Sequence, residues 1–355
     1  MSDTAERTAG MTGPPPGGQT AGGNGFLRTL RHGAGAFVRQ REATVLVVVV
    51  ALFLYFTIDS SNFFTHANMA NLLSGTAAPY IILAIGEVYL LISGEIDLSV
   101  GFVVTLAPFL MYYLITFYGV PSYAAIIIAL IMGLVVGWVN AFLTVTLALP
   151  SFIATLGTSF ILYGIVLVTS HAEPVSIPPS LAHIGKFFGN ESTSAWGWSA
   201  IIWALVLVAI FHVVLTQTRW GLHTIAVGGN MLGAREAGIS VARIKYGNFM
   251  ITGLLGALVG LQIAFYDNTI DPSAGGYNYM FYAVAAAVLG GTAMLGGAGT
   301  IIGGFLGAML LSILTDGFDI LGINANSLDI IFGGAILVAM IANVQLGRLR
   351  EAGRT

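Results

Sequence analysis

WSAIIWALVLVAIFHVVL, residues 198–215, carries no Asp, Glu, Lys or Arg, and TQTRWGLHTIAVGGNMLGAREAGISVARIKY, residues 216–246, follows it with Arg219, Arg235, Arg243 and Lys245. An apolar run of about 20 residues crosses the hydrocarbon of a bilayer as one helix. Short loops rich in Lys and Arg stay on the cytoplasmic side. The juxtaposition therefore reads as a membrane span that emerges into the cytoplasm. Working outward, the other basic residues keep the same habit. Arg7, Arg28, Arg31, Arg39 and Arg41 precede the first apolar run, and Arg348, Arg350 and Arg354 lie at the far end. Only Lys186 of the 13 Lys and Arg residues stands elsewhere.

Composition agrees. With 8% charged and 56% apolar residues, the chain falls far below the roughly 25% charge of soluble domains. Ten apolar runs of spanning length can be marked, at about 43–58, 76–93, 100–118, 122–148, 151–169, 198–215, 247–266, 280–295, 298–315 and 328–343. Six precede the basic loop and four follow it, so both termini and the loop fall inside, as the basic residues require. The expected fold is an all-α polytopic membrane protein of about ten transmembrane helices, some broken or re-entrant, with cytoplasmic N- and C-termini. Loops 170–197 and 267–279, with Glu173, Lys186, Glu191, Asp267 and Asp271, then lie outside. Residues 1–42, with Pro14 to Pro16 and clustered glycines, read as a disordered, basic cytoplasmic tail rather than a cleaved signal peptide. Residues 43–345 form the membrane domain and 346–355 a second cytoplasmic tail. The absence of cysteine excludes disulfides and thiolate metal sites, and no polybasic surface for nucleic acid is visible.

Glycine recurs at four-residue spacing in Gly133/Gly137, Gly256/Gly260 and Gly299/Gly303/Gly307. Small stripes of this kind let helices approach closely in lipid, within one subunit or between two. Glycines at 290, 291, 296, 297 and 299 interrupt the run over 280–315, which fits two spans or a re-entrant pair.

Carboxylates inside a membrane are expensive and mark paths or moving parts. Glu87, Glu95, Asp97, Asp316, Asp319 and Asp329 lie in or at the ends of the expected spans, with no Lys or Arg among those spans to partner them. Glu95 and Asp97 stand in GEIDLSVG, residues 94–101, whose bracketing glycines indicate an interrupted helix. Asp97 and Ser99 suit capping of the helix that follows; a gating role, with Glu95, suits them equally. Phe152 and Thr155 are candidates to line a path or to pack in the core. In the basic loop, Asn230 is a good N-cap and Gly238 a good left-handed terminator for one short helix. A helix so small between two spans is best explained by docking to a cytoplasmic partner.

GEIDLSVG (94–101), FIATLG (152–157), AVGGNMLGAREAGI (226–239) and VLGGTAMLGGAGTIIGGFLGA (288–308) together resemble the permease subunits of bacterial sugar ABC importers of the ribose, xylose and galactose type. The resemblance spans about residues 45–345. It implies a multi-pass protein of the bacterial cytoplasmic membrane that forms the path by alternating access, with a second permease copy or paralogue. It also implies a cytoplasmic ATP-binding subunit that holds ATP and Mg, and a periplasmic or lipid-anchored sugar-binding protein. The short inner helix would be the coupling helix, with Gly229, Asn230, Ala234, Arg235, Glu236, Ala237 and Gly238 at the ATPase. Such permeases more often read Gly-Gly-Ile-Asp where this chain reads Gly94-Glu95-Ile96-Asp97.

The chain carries no nucleotide site of its own. A phosphate-cradling P-loop needs Gly-Lys-Ser/Thr after a glycine, and the only Gly-Lys, Gly185-Lys186, is followed by Phe187. No enzymatic, metal or cofactor site is expected, and His171 and His183 read as solvated or loop-packing residues of the long outer loop. The competing class is a self-sufficient proton- or sodium-coupled transporter whose intramembrane acids and broken helices form the ion site.

Overall fold

The structure, a computed structural model, describes residues 41–188, 198–323 and the helical positions 327, 330–334, 337, 338 and 341. Both expected tails, apart from residues 41 and 42, together with Glu191 and Asp329, lie outside the described residues. The protein is an all-α membrane protein. Its helices are α1 (Arg41–Asp59), α2 (His66–Ile92), α3 (Val100–Thr116), α4 (Ser122–Thr146), α5 (Ser151–Ser170), α6 (Ala182–Phe188), α7 (Ser199–Gln217), α8 (Arg219–Gly229), α9 (Met231–Glu236), α10 (Val241–Asp267), α11 (Gly276–Leu289) and α12 (Ile301–Ile320). One two-residue antiparallel pair, β1 (Val175–Ser176) with β2 (Thr269–Ile270), joins the loops after α5 and α10 at one end of the bundle.

Among the described residues seven helices, α1, α2, α4, α5, α7, α10 and α12, are long and apolar enough to cross a membrane, and α3 is a shorter apolar helix. They account for eight of the ten expected spans. The ninth, α11, has 14 residues, about 21 Å of helix against a hydrocarbon core of about 30 Å. Residues 290–300 after it are non-helical, with Gly291, Gly296 and Gly297 at positive φ. The tenth falls among the scattered described positions. Two helices begin earlier than the apolar runs indicate. Ser240 caps α10 by accepting from the Arg243 N–H, and Thr65 caps α2 through the Asn68 N–H, so polar first turns precede the apolar stretches.

Helix α2 is buried from Ala77 to Ile92, and α10 packs against α2, α3 and α4. The glycine stripes make these contacts. A Cβ on Gly253 would lie 2.1 Å from the Gly133 carbonyl oxygen, and one on Gly260 would lie 2.0 Å from that of Val104. In the same way Gly303 and Gly307 of α12 meet the backbone of Gly290 and Ala286. These stripes therefore serve close packing within the subunit, where backbones in contact gain dispersion that lipid does not supply.

Two non-helical stretches enter the bundle. Lys245 in α10 pairs with Glu95, while Gly256, eleven residues on, meets Val100 at the start of α3. That interval is about 16 Å along a helix, so residues 95–99 climb from the basic end to mid-bundle before α3 starts. From the opposite end, residues 271–275 descend to the same level. There the Thr105 hydroxyl donates to the Ala274 carbonyl at 2.6 Å, and Gly101 faces the Gly276 carbonyl. The first turns of α3 and α11 meet halfway along α10.

Candidate functional site

Backbone that leaves the helix at membrane depth survives only if the protein satisfies its polar groups. Side chains from α4 and α5 do so for GEIDLSVG. The Ile96 N–H donates to Ser151 Oγ at 3.3 Å and the Leu98 N–H to Thr155 Oγ1 at 3.0 Å. Asp97, fully buried, accepts from the Ser99 N–H at 2.8 Å and the Ser99 hydroxyl at 2.7 Å. Asn140 of α4 donates to both Asp97 oxygens at 3.2 Å and to Ser99 Oγ at 2.7 Å. Asp97 thus holds the start of α3 as an acceptor. Ser99 does not cap, because its hydroxyl is spent on Asp97.

Of the other carboxylates, Asp316 accepts from Asn68 at 2.7 Å, and Asp319 is exposed. Glu87 of α2 is fully buried beside Asp97. Among the described residues neither of its oxygens has a hydrogen-bond partner. Glu95 corrects the expectation that no basic residue would partner these acids. Lys245, counted as loop because the apolar run starts at 247, belongs to α10 and reaches Glu95. Thr155 is buried in the cluster, whereas Phe152, three residues before it, is exposed on α5 and stands apart.

The basic loop holds two helices, not one. Thr218 caps α8 and Asn230 caps α9, its Oδ1 accepting from the Gly233 N–H at 2.9 Å. Gly238, at φ +79°, ends α9 with the Ile239 N–H returning to the Ala234 carbonyl. Ala234 is buried against Val227, Val241 and Ile244, which fixes α9 to the first turn of α10. Gly229, Asn230, Arg235, Glu236, Ala237 and Gly238 are exposed, as are Met231 and Leu232. The hairpin rests on the bundle through Gly228, where a Cβ would lie 1.6 Å from the Ile92 carbonyl oxygen. Ile92 also accepts from the Gly297 N–H at 2.8 Å. The end of α2, the end of α8 and the loop before α12 therefore share one joint, directly before GEIDLSVG. Asn140, Ser151, Lys245, Gly228 and Gly297 escaped the sequence reading, since each acts through a partner far along the chain. Lys245 alone had a signal, standing two residues before an expected span at the end where Glu95 emerges.

Over residues 68–341 the chain matches the family model described as branched-chain amino acid transport system / permease component. It is 35% identical to the xylose/arabinose import permease protein XylH of Sulfolobus acidocaldarius, over 86% of this chain and 85% of that protein. It is 32% identical to the autoinducer 2 import system permease protein LsrC of Salmonella typhi, over 88% and 87% of the two chains. The ribose import permease protein RbsC of Haemophilus influenzae is 30% identical, over 87% and 94%. No solved structure matches the chain. An all-α bundle that matches the model over most of its length, and these permeases over most of theirs, belongs to this family of transport permease components.

Proposed function

We propose that the chain is the permease subunit of an ATP-driven importer for a monosaccharide or a related small polyol, working by alternating access. The observation that carries this reading is the α8–α9 hairpin. It presents an exposed face with Met231, Leu232, Arg235 and Glu236, yet is anchored through Ala234 and Gly228 to the joint beside GEIDLSVG. Such a piece suits a partner that pushes from the basic end. That end faces the cytoplasm by the loop-charge rule, with both termini inside. An ATP-binding subunit holding ATP and Mg docks there, a sugar-binding protein delivers cargo at the opposite end, and a second permease copy or paralogue completes the path. Sugar as cargo is supported by the names of the xylose/arabinose and ribose permeases. Another relative is named for the import of autoinducer 2. Against a self-sufficient ion-coupled transporter stand the import-permease relatives; Glu95, Asp97 and Asp316 each have a protein partner, and buried Glu87 is the acid that such a transporter would have to use.

Energy coupling is the test. In vesicles holding the permease with its ATPase and binding protein, uptake of screened monosaccharides is expected to require ATP on the cytoplasmic side and to persist when proton and sodium gradients are collapsed. Uptake that follows an ion gradient without ATP would sink the proposal.

A second expectation concerns the docking face. Glu236→Lys reverses a charge on the exposed side of α9 and touches no buried group, so membrane insertion should be unchanged. Retention of the ATPase on purification is expected to fall about five- to tenfold, the size of one rim charge pair at roughly 1 kcal/mol. Loss of transport with the ATPase fully retained would show that α9 is not where it docks.

A further inference from the structure

Lys245 lies in the second turn of α10, whose first turn is packed with α9 through Ala234, Val241 and Ile244. Its ammonium pairs with Glu95, and both side chains are only 11% exposed. Glu95 opens the stretch that climbs to α3, and its N–H is bonded back to the Leu90 carbonyl at 3.0 Å. The next two amides on the same side are held by Ser151 and Thr155, so the acid sits on a short, tethered length of chain. A rigid connection thus runs from the exposed face of α9, through the base of α10, to the interrupted segment. Beside the backbone contact of Gly228 with Ile92, the step from α10 to that segment is a charge pair largely withdrawn from water, and such a pair is costly to break on one side only.

We infer that Lys245 is a positioning residue of the transport cycle, acting through Glu95: its ion pair makes the segment before α3 follow the movement of the α8–α9 hairpin and the base of α10. The inference rests on the function proposed above and adds to it the residue that carries the stroke. A lysine there is useful because its long stem reaches out of the helix to a loop acid and presents one compact positive charge to it. Lys245→Arg can keep the charge pair, whereas Lys245→Met keeps the apolar stem and removes it.

The experiment is a double-mutant cycle in the full complex, with sugar imported per ATP hydrolysed as the readout. Lys245→Met and Glu95→Gln are each expected to lower that ratio about tenfold, with the double variant no worse than either single, the signature of one shared interaction. Lys245→Arg should stay within about twofold of the unaltered complex, and the swap Glu95→Lys with Lys245→Glu should recover most of the loss. Single effects that multiply in the double variant would overturn the inference. So would a loss confined to the thermal midpoint with the import ratio unchanged, which is the mark of a structural staple. Should a single variant fail to assemble, Lys245→Arg and the swap still decide, because a swap that assembles but does not restore the ratio also overturns it. The unaltered complex separates the two claims. If its uptake needs no ATP the proposed function fails, whereas ATP-driven uptake with indifferent variants removes the role of Lys245 alone.

Discussion

Asp97→Ala is expected to leave little folded permease in the membrane, while Asp97→Asn assembles normally. The alanine removes the acceptor of the Ser99 N–H, the Ser99 hydroxyl and the Asn140 amide, all in a fully buried site. Each donor left unpaired costs about 1–3 kcal/mol. Even if the hydroxyl rotates to another acceptor, the two remaining donors sum to about 2–6 kcal/mol, a large part of the 5–15 kcal/mol that holds an ordinary domain together. Asparagine keeps the oxygen that serves Ser99. Its new amide can donate to Asn140 Oδ1, which has no partner now, once the Asn140 amide turns over, at a cost of about 1 kcal/mol. Thermal midpoints of the solubilised protein should therefore order as native, then Asn, then Ala, with Asn close to native. Uptake should follow the same order. An asparagine variant that assembles fully but loses more than about tenfold in uptake would mean that the cycle needs the carboxylate charge, beyond the roughly 1 kcal/mol of an exchanged hydrogen bond.

Gly228→Ala should be far more damaging than Gly229→Ala, although the two glycines are neighbours at the end of α8. At Gly228 a methyl would lie 1.6 Å from the Ile92 carbonyl oxygen and 2.7 Å from the Gly297 nitrogen, both backbone atoms that cannot swing aside. At Gly229 the nearest atom is 3.8 Å away. Overpacking against backbone costs about 1–3 kcal/mol or more, and here it must separate the hairpin from α2 and from the loop before α12. Gly229→Ala, on an exposed position, is expected within about 0.5 kcal/mol of the native protein. Transport assays with thermal unfolding of both variants test this. Equal behaviour of the two would show that the hairpin does not bear on the bundle at Gly228.

The membrane class and the positions of most helices were legible in the sequence because lipid imposes a simple rule of apolar length and loop charge. The limits of that rule mark where the reading stopped. It began α10 at 247 because charged first turns fail an apolar test, and in doing so it hid Lys245, five residues past the N-cap Ser240 and the partner of Glu95. Asn230 and Gly238 were recognisable as the ends of α9, since capping is local chemistry. The first helix of that loop, α8, was missed: it has only 11 residues, ends on two glycines, and its Thr218 cap was not read. GEIDLSVG was readable as a break, but not its depth in the bundle or its supports. Ser151, Thr155 and Asn140 approach it only after α4 and α5 have packed, and no spacing in the chain announces that. Phe152 was grouped with Thr155 because residues three apart share a helix face, about 60° from each other, yet the burial boundary of α5 runs between them, with Phe152 exposed and Thr155 buried.

The supports of residues 95–99 differ in kind from those of the helices around them. A helical N–H is released only by turning the backbone, whereas Ser151 and Thr155 hold Ile96 and Leu98 through hydroxyls that swing about a single side-chain torsion. The joint at mid-bundle is therefore fastened by rotamers instead of peptide units. It can be unpicked one amide at a time, on the timescale of side-chain rotation, while every helix stays intact.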